Sequence, residues 1–144
     1  MKHIIKLTLI GFIAGLILMA FLKIIQILSG SEAYILLFNF DYVPLIKNLK
    51  PVWLFGYIFH FMTCIISVIA LFYILKNLGW QNRILPYVLV YTIGGGGLYF
   101  LTALSDQPPA ANDAMAWLNW TIGHLIFGYA VGLMIKKMER GSTA

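Results

Sequence analysis

The sequence predicts an all-α integral membrane protein, a four-helix bundle with its N- and C-termini on the cytoplasmic side. Composition is the first observation. Of 144 residues, 61% are hydrophobic and only 10% charged, whereas a soluble domain carries roughly 45–50% apolar and about 25% charged residues. Mean hydropathy is +0.88. The second observation is that the apolar residues gather into four runs, each near the ~20 residues that cross a bilayer as a helix. The third is charge placement. With the N-terminus inside, Lys2, Lys6, Lys76, Arg83, Lys136, Lys137 and Arg140 lie on the cytoplasmic side, and only Lys47 and Lys50 lie opposite. That is the positive-inside bias of a multi-pass protein. Four of the five acids, Glu32, Asp41, Asp106 and Asp113, fall outside.

A single domain covers residues 1–144. The first span is expected over residues 7–28, interrupted by Lys23. The opening MKHIIK before an apolar stretch also has the pattern of a signal peptide. The run is longer than an h-region and no A-x-A site follows, so it reads as a retained anchor. The second span covers 52–75 and follows Pro51, a residue suited to the first turn of a helix. The third covers 84–104 and the fourth 115–135. All are helical because a segment crossing lipid must satisfy its own backbone hydrogen bonds. KNLGWQNR at 76–83 makes a short polar turn on the cytoplasmic side. In the outer loop SDQPPAANDA at 105–114, Pro108 and Pro109 forbid a continuous helix. The other outer loop, residues 29–51, is unusually apolar. Tyr34, Leu37, Phe38 and Tyr42 recur in it near helical spacing, which fits an interfacial segment, a lid packed on the bundle, or a surface for a partner.

His60 and His124 each stand inside an apolar run. Ionisable groups are costly in a bilayer, so they face a cavity or a bundle interior. Each lies about nine residues from the outer start of its span, or ~13 Å along a helix. Lys23 lies about five residues from the outer end of the first span, and Gln26 one turn further out. Gly94, Gly95, Gly96 and Gly97 fall seven to ten residues before the outer end of the third. All four spans therefore place their unusual residues in one outer-half layer. Their faces agree, since residues three and four apart neighbour one another on a helix. Gly56, His60, Thr63, Cys64 and Ser67 make one stripe, Thr121, His124, Gly128 and Gly132 a second, and Gly11, Gly15, Met19, Lys23 and Gln26 a third. Gly11/Gly15 and Gly128/Gly132 are GxxxG pairs, which let helices approach closely.

His60, His124, Lys23, Gln26, Thr63 and Thr121 are the candidates for binding a ligand or a proton. For the glycine run, one role is close packing against Trp53, Trp117 or Trp120. The other is a locally opened helix whose carbonyls line a cavity. Lys23 either snorkels to the headgroups or pairs with a histidine, Gln26, Asp106 or Asp113. Cys64 is the single cysteine; it can form no intrachain disulfide and reads as a small apolar group.

GxxxxGK[ST], GxSxG, HExxH and CxxC are all absent, and no acid lies within a span. The chain therefore reads against an enzyme, and no cofactor is called for. Two histidines on separate helices leave several roles. They can titrate between about pH 5 and 8, meet a small polar ligand, or only join helices in a structural or accessory subunit. They can also ligate a metal or a haem. A zinc site would need further ligands, from Asp106, Asp113 or Cys64. The net charge of +5 sits at span ends rather than in a patch, which reads as orientation and not as nucleic-acid binding. The expected partners are the lipid bilayer, a second copy of the chain or another membrane protein.

HFMTCIISVIALFYI, a short basic turn, a third span, a Pro-containing loop and WTIGHLIFGYAVGLMIKKMER together resemble the YagU-like family of small bacterial inner-membrane proteins. In that family a histidine opens the corresponding earlier helix, and Gly-His-Leu opens the last helix before a basic tail. His60, Gly123, His124, Leu125, Lys136, Lys137 and Arg140 match those features. GFIAGLILMAFLK looks like the family's Gly-rich first helix with a lysine near its end. The present chain is shorter, with a reduced first outer loop. The resemblance implies a multi-pass protein of the bacterial cytoplasmic membrane with no defined biochemical activity.

Overall fold

A computed structural model describes residues 2–43, 45–50 and 52–140, with Lys2 described in its backbone alone. Pro51, expected to precede the second span, lies outside the described residues. Five α-helices appear in it: α1 (Lys2–Ser29), the single turn α2 (Ala33–Leu36), α3 (Val52–Asn77), α4 (Ile84–Leu98) and α5 (Ala114–Arg140). A 3-10 helix, Tyr99–Leu104, continues α4. Four of these segments are long and apolar enough to span a membrane. The protein is a multi-pass membrane helical bundle. The third span differs from an unbroken helix over 84–104, because its last six residues tighten into 3-10 geometry.

The helix ends follow from local chemistry. At the end of α1, Gly30 takes φ +71°, a left-handed conformation that costs glycine nothing. Its N–H returns to Gln26 O at 2.9 Å, the one-bond αL cap. Gly79, at φ +70°, closes α3 with the two-bond version, in which Trp80 N–H reaches Leu75 O and Gly79 N–H reaches Lys76 O. Asp113 starts α5: its Oδ1 accepts the Ala116 N–H at 2.9 Å, satisfying one of the orphan donors of the first turn.

Helices α1 and α4 run one way, α3 and α5 the other. His3 Nε2 and Glu139 Oε1 meet at 2.8 Å, so the start of α1 and the end of α5 share one end of the bundle with residues 78–83. The loops of residues 30–50 and 105–113 share the opposite end, which we call the loop end. Packing order does not follow chain order. Helix α1 lies between α3 and α5, and α5 between α1 and α4, while the consecutive α3 and α4 barely meet. One hydrogen bond, Tyr91 Oη–H to Ser67 Oγ at 3.4 Å, spans their gap.

Lipid tails are as apolar as leucine, so burying leucine drives helix association weakly in a bilayer; close van der Waals packing at small residues does more. The glycine pairs act in that way. A Cβ added to Gly11 would stand 2.8 Å from Ile65 Cα, and one on Gly128 would stand 2.8 Å from Tyr87 O. Backbone therefore meets backbone at α1/α3 and at α5/α4. Between α1 and α5 the contact is made by a side chain, with Gly123 seating Leu18. Leu7, Ala14, Val68, Phe72, Tyr87, Val131 and Ile135 are fully buried along these seams, whereas Ile27, Leu85 and Ile93 are among the apolar residues on the outer surface.

Gly128→Ala should destabilise the bundle by about 1–3 kcal/mol, because backbone atoms cannot move aside as a side chain can. Gly94→Ala meets open space and should leave stability unchanged or raise it by up to about 1 kcal/mol through helix propensity. Denaturation of the two variants in one detergent checks the contrast.

Candidate functional site

His60 and His124 line the same cavity, of about 240 Å³, between α3 and the α4/α5 pair. Thr63 and Cys64 continue its wall on α3, Leu98 and Leu101 close the side of the third span, and Trp120 stands beside His124 on α5. The lining is predominantly apolar. Two wall residues, Thr63 and Leu98, are exposed on the outer surface of the bundle. They flank the α3–α4 gap, so on that side the cavity wall is also part of the outer surface of the bundle. Towards the loop end it is covered by the buried Leu36 and Leu37, with Tyr42.

Each imidazole is tied to a carbonyl oxygen, which can only accept. His60 Nε2–H therefore donates across helices to Gly15 O at 3.2 Å. His124 Nδ1–H donates to Trp120 O, one turn back on its own helix, at 2.9 Å. In a neutral ring the second nitrogen is then an acceptor, Nδ1 in His60 and Nε2 in His124. Cys64 Sγ lies 3.9 Å from His60 Nδ1, a weak contact. Thr63 and Thr121 donate their hydroxyls to Phe59 O and Trp117 O, both at 2.8 Å. This back-bonding satisfies a hydroxyl inside lipid and leaves its lone pairs available. Among the described residues, no three His, Cys, Asp or Glu side chains stand close enough to hold a metal together.

The glycine run positions His124. Gly95 lies against its ring so closely that a Cβ there would collide with Cγ and Cδ2, and Gly96 seats Thr121. The carbonyls of the same residues accept indole N–H groups: Trp120 Nε1 donates to Gly95 O at 2.8 Å and Trp117 Nε1 to Gly96 O at 3.0 Å. Packing against tryptophan and donation to helix carbonyls thus occur together. Gly94 and Gly97 meet nothing within 4 Å.

Lys23 and Gln26 are elsewhere. They line a second, larger pocket of about 610 Å³ at the loop end, with Lys47, Lys50, Asp41 and Gln107. Lys23 Nζ donates to Gln26 Oε1 at 2.8 Å and stands 4.8 Å from the centre of the Tyr34 ring. Burial pushes the Tyr34 hydroxyl up to about 12, and its hydrogen bond with the Tyr57 hydroxyl adds to the shift. The ring beneath Lys23 is therefore a neutral phenol at physiological pH. Burial raises Tyr42 in the same direction.

Residues 34–42 form the wall between the two pockets. Leu36, Leu37 and Tyr42 face the histidine cavity, whereas Tyr34, Ile35, Phe38, Asn39 and Asp41 face the lysine pocket. Gly56 seats this wall on α3: a Cβ there would stand 2.7 Å from Phe38 O. Asn39 Nδ2–H donates to Ser105 Oγ at 2.7 Å and its Oδ1 accepts Asp41 N–H at 2.9 Å, joining the two loops. Asn39, Ser105 and the wall role of Gly56 carry no signal in the sequence, where Tyr34, Leu37, Phe38 and Tyr42 stand out by their helical spacing. No family model, curated protein or solved structure matches the chain.

Gly95→Ala should displace the His124 ring and move its imidazole NMR resonances well beyond those of His60. Trp120→Phe removes a buried donor and should cost about 0.5–1.5 kcal/mol, measured by unfolding in detergent. The Tyr34 shift gives a pH dependence. Its folded pKa lies above the unfolded value of ~10, so its contribution is complete below pH 10 and falls as pH rises towards 12. Stability of the wild type should drop more steeply over that interval than stability of Tyr34→Phe.

Proposed function

We propose that this protein binds a small amphiphile bearing a hydroxyl or phenol group, taken from the bilayer through the gap between α3 and α4. The observation that carries this reading is an apolar cavity shared by two histidines, whose wall at Thr63 and Leu98 is also the outer surface of the bundle. A water-borne polar ligand would need a route through the buried Leu36 and Leu37. A molecule dissolved in lipid has none to cross. With their N–H groups committed to Gly15 O and Trp120 O, the rings offer acceptor nitrogens, so the matching ligand group is a hydrogen-bond donor. The volume, about 240 Å³, falls just below the ~300 Å³ at which drug-sized sites begin. It suits one ring or a short branched head whose tail stays among the acyl chains.

The setting we propose is the bacterial inner membrane, with both termini cytoplasmic as the lysine and arginine distribution suggests. The YagU-like resemblance supports the same address. The loop end then faces away from the cytoplasm, and the histidines lie in the outer half of the bilayer. A second reading, a structural subunit whose histidines only join helices, draws on the His60–Gly15 bond between α3 and α1.

A brominated alkylphenol supplied in lipid tests the proposal, because a heavy atom in the cavity quenches Trp120. Quenching should be saturable in the wild type and reduced to the background of the other tryptophans in Trp120→Phe. Thr63→Trp, which places a bulky ring at that wall, should weaken probe binding at least tenfold, read by displacement of a radiolabelled alkylphenol. Binding that survives both Thr63→Trp and His124→Leu would leave the structural reading in its place.

A further inference from the structure

We infer that the loop-end pocket, separate from the histidine cavity, binds a phosphate group carrying net negative charge through Lys23, Lys47 and Lys50. These three ammonium groups line one pocket with a single carboxylate, Asp41. Among the described residues, no carboxylate lies within 4.0 Å of any of the three lysine nitrogens. The three lysines are exposed, and a single acid faces them across the pocket. An oxyanion placed among them meets complementary charge.

The donors are also arranged for it. Lys23 is held by Gln26 Oε1 and by the Tyr34 ring, so its orientation is set before a ligand arrives. An ammonium group has three N–H donors, and one is committed to Gln26. Gln107 adds an amide group to the wall, suited to a hydroxyl beside the phosphate. Phosphate fits better than a lone carboxylate because three oxygens can meet three separate cations. Lys23 lies six residues inside the end of α1 at Ser29, ~9 Å along the axis, which is headgroup depth. The phosphate can therefore come from an anionic phospholipid or from a soluble phosphate ester.

The test uses the full chain in a neutral maltoside detergent, with two probes. Glycerol 3-phosphate is titrated by calorimetry, and phosphatidylglycerol is compared with phosphatidylcholine by native mass spectrometry. Saturable binding of either anionic probe supports the site. Retention of phosphatidylglycerol alone identifies a lipid source, and binding of glycerol 3-phosphate a soluble one. Each of Lys23→Gln, Lys47→Gln and Lys50→Gln should weaken binding about five-fold, as expected for one lysine near an anionic surface. Asp41→Asn should strengthen it by a similar factor. The control Lys76→Gln/Lys136→Gln/Lys137→Gln removes equal charge from the opposite end and should leave binding unchanged. Equal loss in this control and in the Lys23/Lys47/Lys50 triple variant would overturn the inference. So would an Asp41→Asn protein that binds no better than the wild type, or the absence of saturable binding by both probes.

Discussion

The close approach of α5 to α4 is the constraint on which the rest of the molecule depends. Gly128 brings the α5 backbone against Tyr87 and Val88, and Gly132 brings it against Ile84. Nearer the loop end, Gly95 and Gly96 receive His124 and Thr121 on their faces and the indoles of Trp120 and Trp117 on their carbonyls. In lipid, association must come from such intimate packing and from hydrogen bonds with no competing water. A side chain at Gly95 would expel His124, and wider spacing would separate the tryptophans from their acceptors. The cavity exists because this joint is tight on one side while α3 stands clear of α4 on the other.

The histidines show how a polar group becomes tolerable at that depth. Each has a backbone carbonyl partner, one across helices and one on its own helix, so neither ring is left wholly unsatisfied in an apolar setting. The same bonds select the tautomers and so the kind of ligand atom that fits. Structural and ligand-binding roles are thus compatible in one ring. The distinction between them lies in the second nitrogen, which in His60 meets only the weak Cys64 Sγ contact, not in the one bonded to a carbonyl.

The four spans were legible because length and hydropathy suffice to find a membrane helix; of the small-and-polar faces, Gly11, Gly15, Gly56, His60, Cys64, Gly128 and Gly132 do turn inward, whereas Lys23 and Thr63 are exposed. The relative depth of the polar residues was less legible, and so was angle around the bundle. His60 is level with Gly15, whose carbonyl it meets, whereas Lys23 and Gln26 lie about two turns or more nearer the loop end of α1 and open onto another pocket, with residues 34–42 between. Connection lengths favour neighbours in sequence, and the actual order, with α3 and α4 apart, depends on side-chain fit across the whole bundle. The 3-10 tightening after Leu98 and the Asn39–Ser105 bond are likewise products of tertiary contact. Gly30, Gly79 and Asp113, by contrast, carry helix-end chemistry that their own positions announce.

The packing order also has a consequence for assembly. Helices α1 and α3 can clasp through Gly11 and Ile65 once the first 77 residues are made, whereas α4 must wait for α5. The chain is thus two clasped pairs, each joined backbone to backbone, that meet along α1 and α5 through side chains such as Leu18 in the hollow of Gly123. That meeting, like the α4–α5 clasp, can form only once α5 has been made, so the last helix of the chain completes two of the three seams at once.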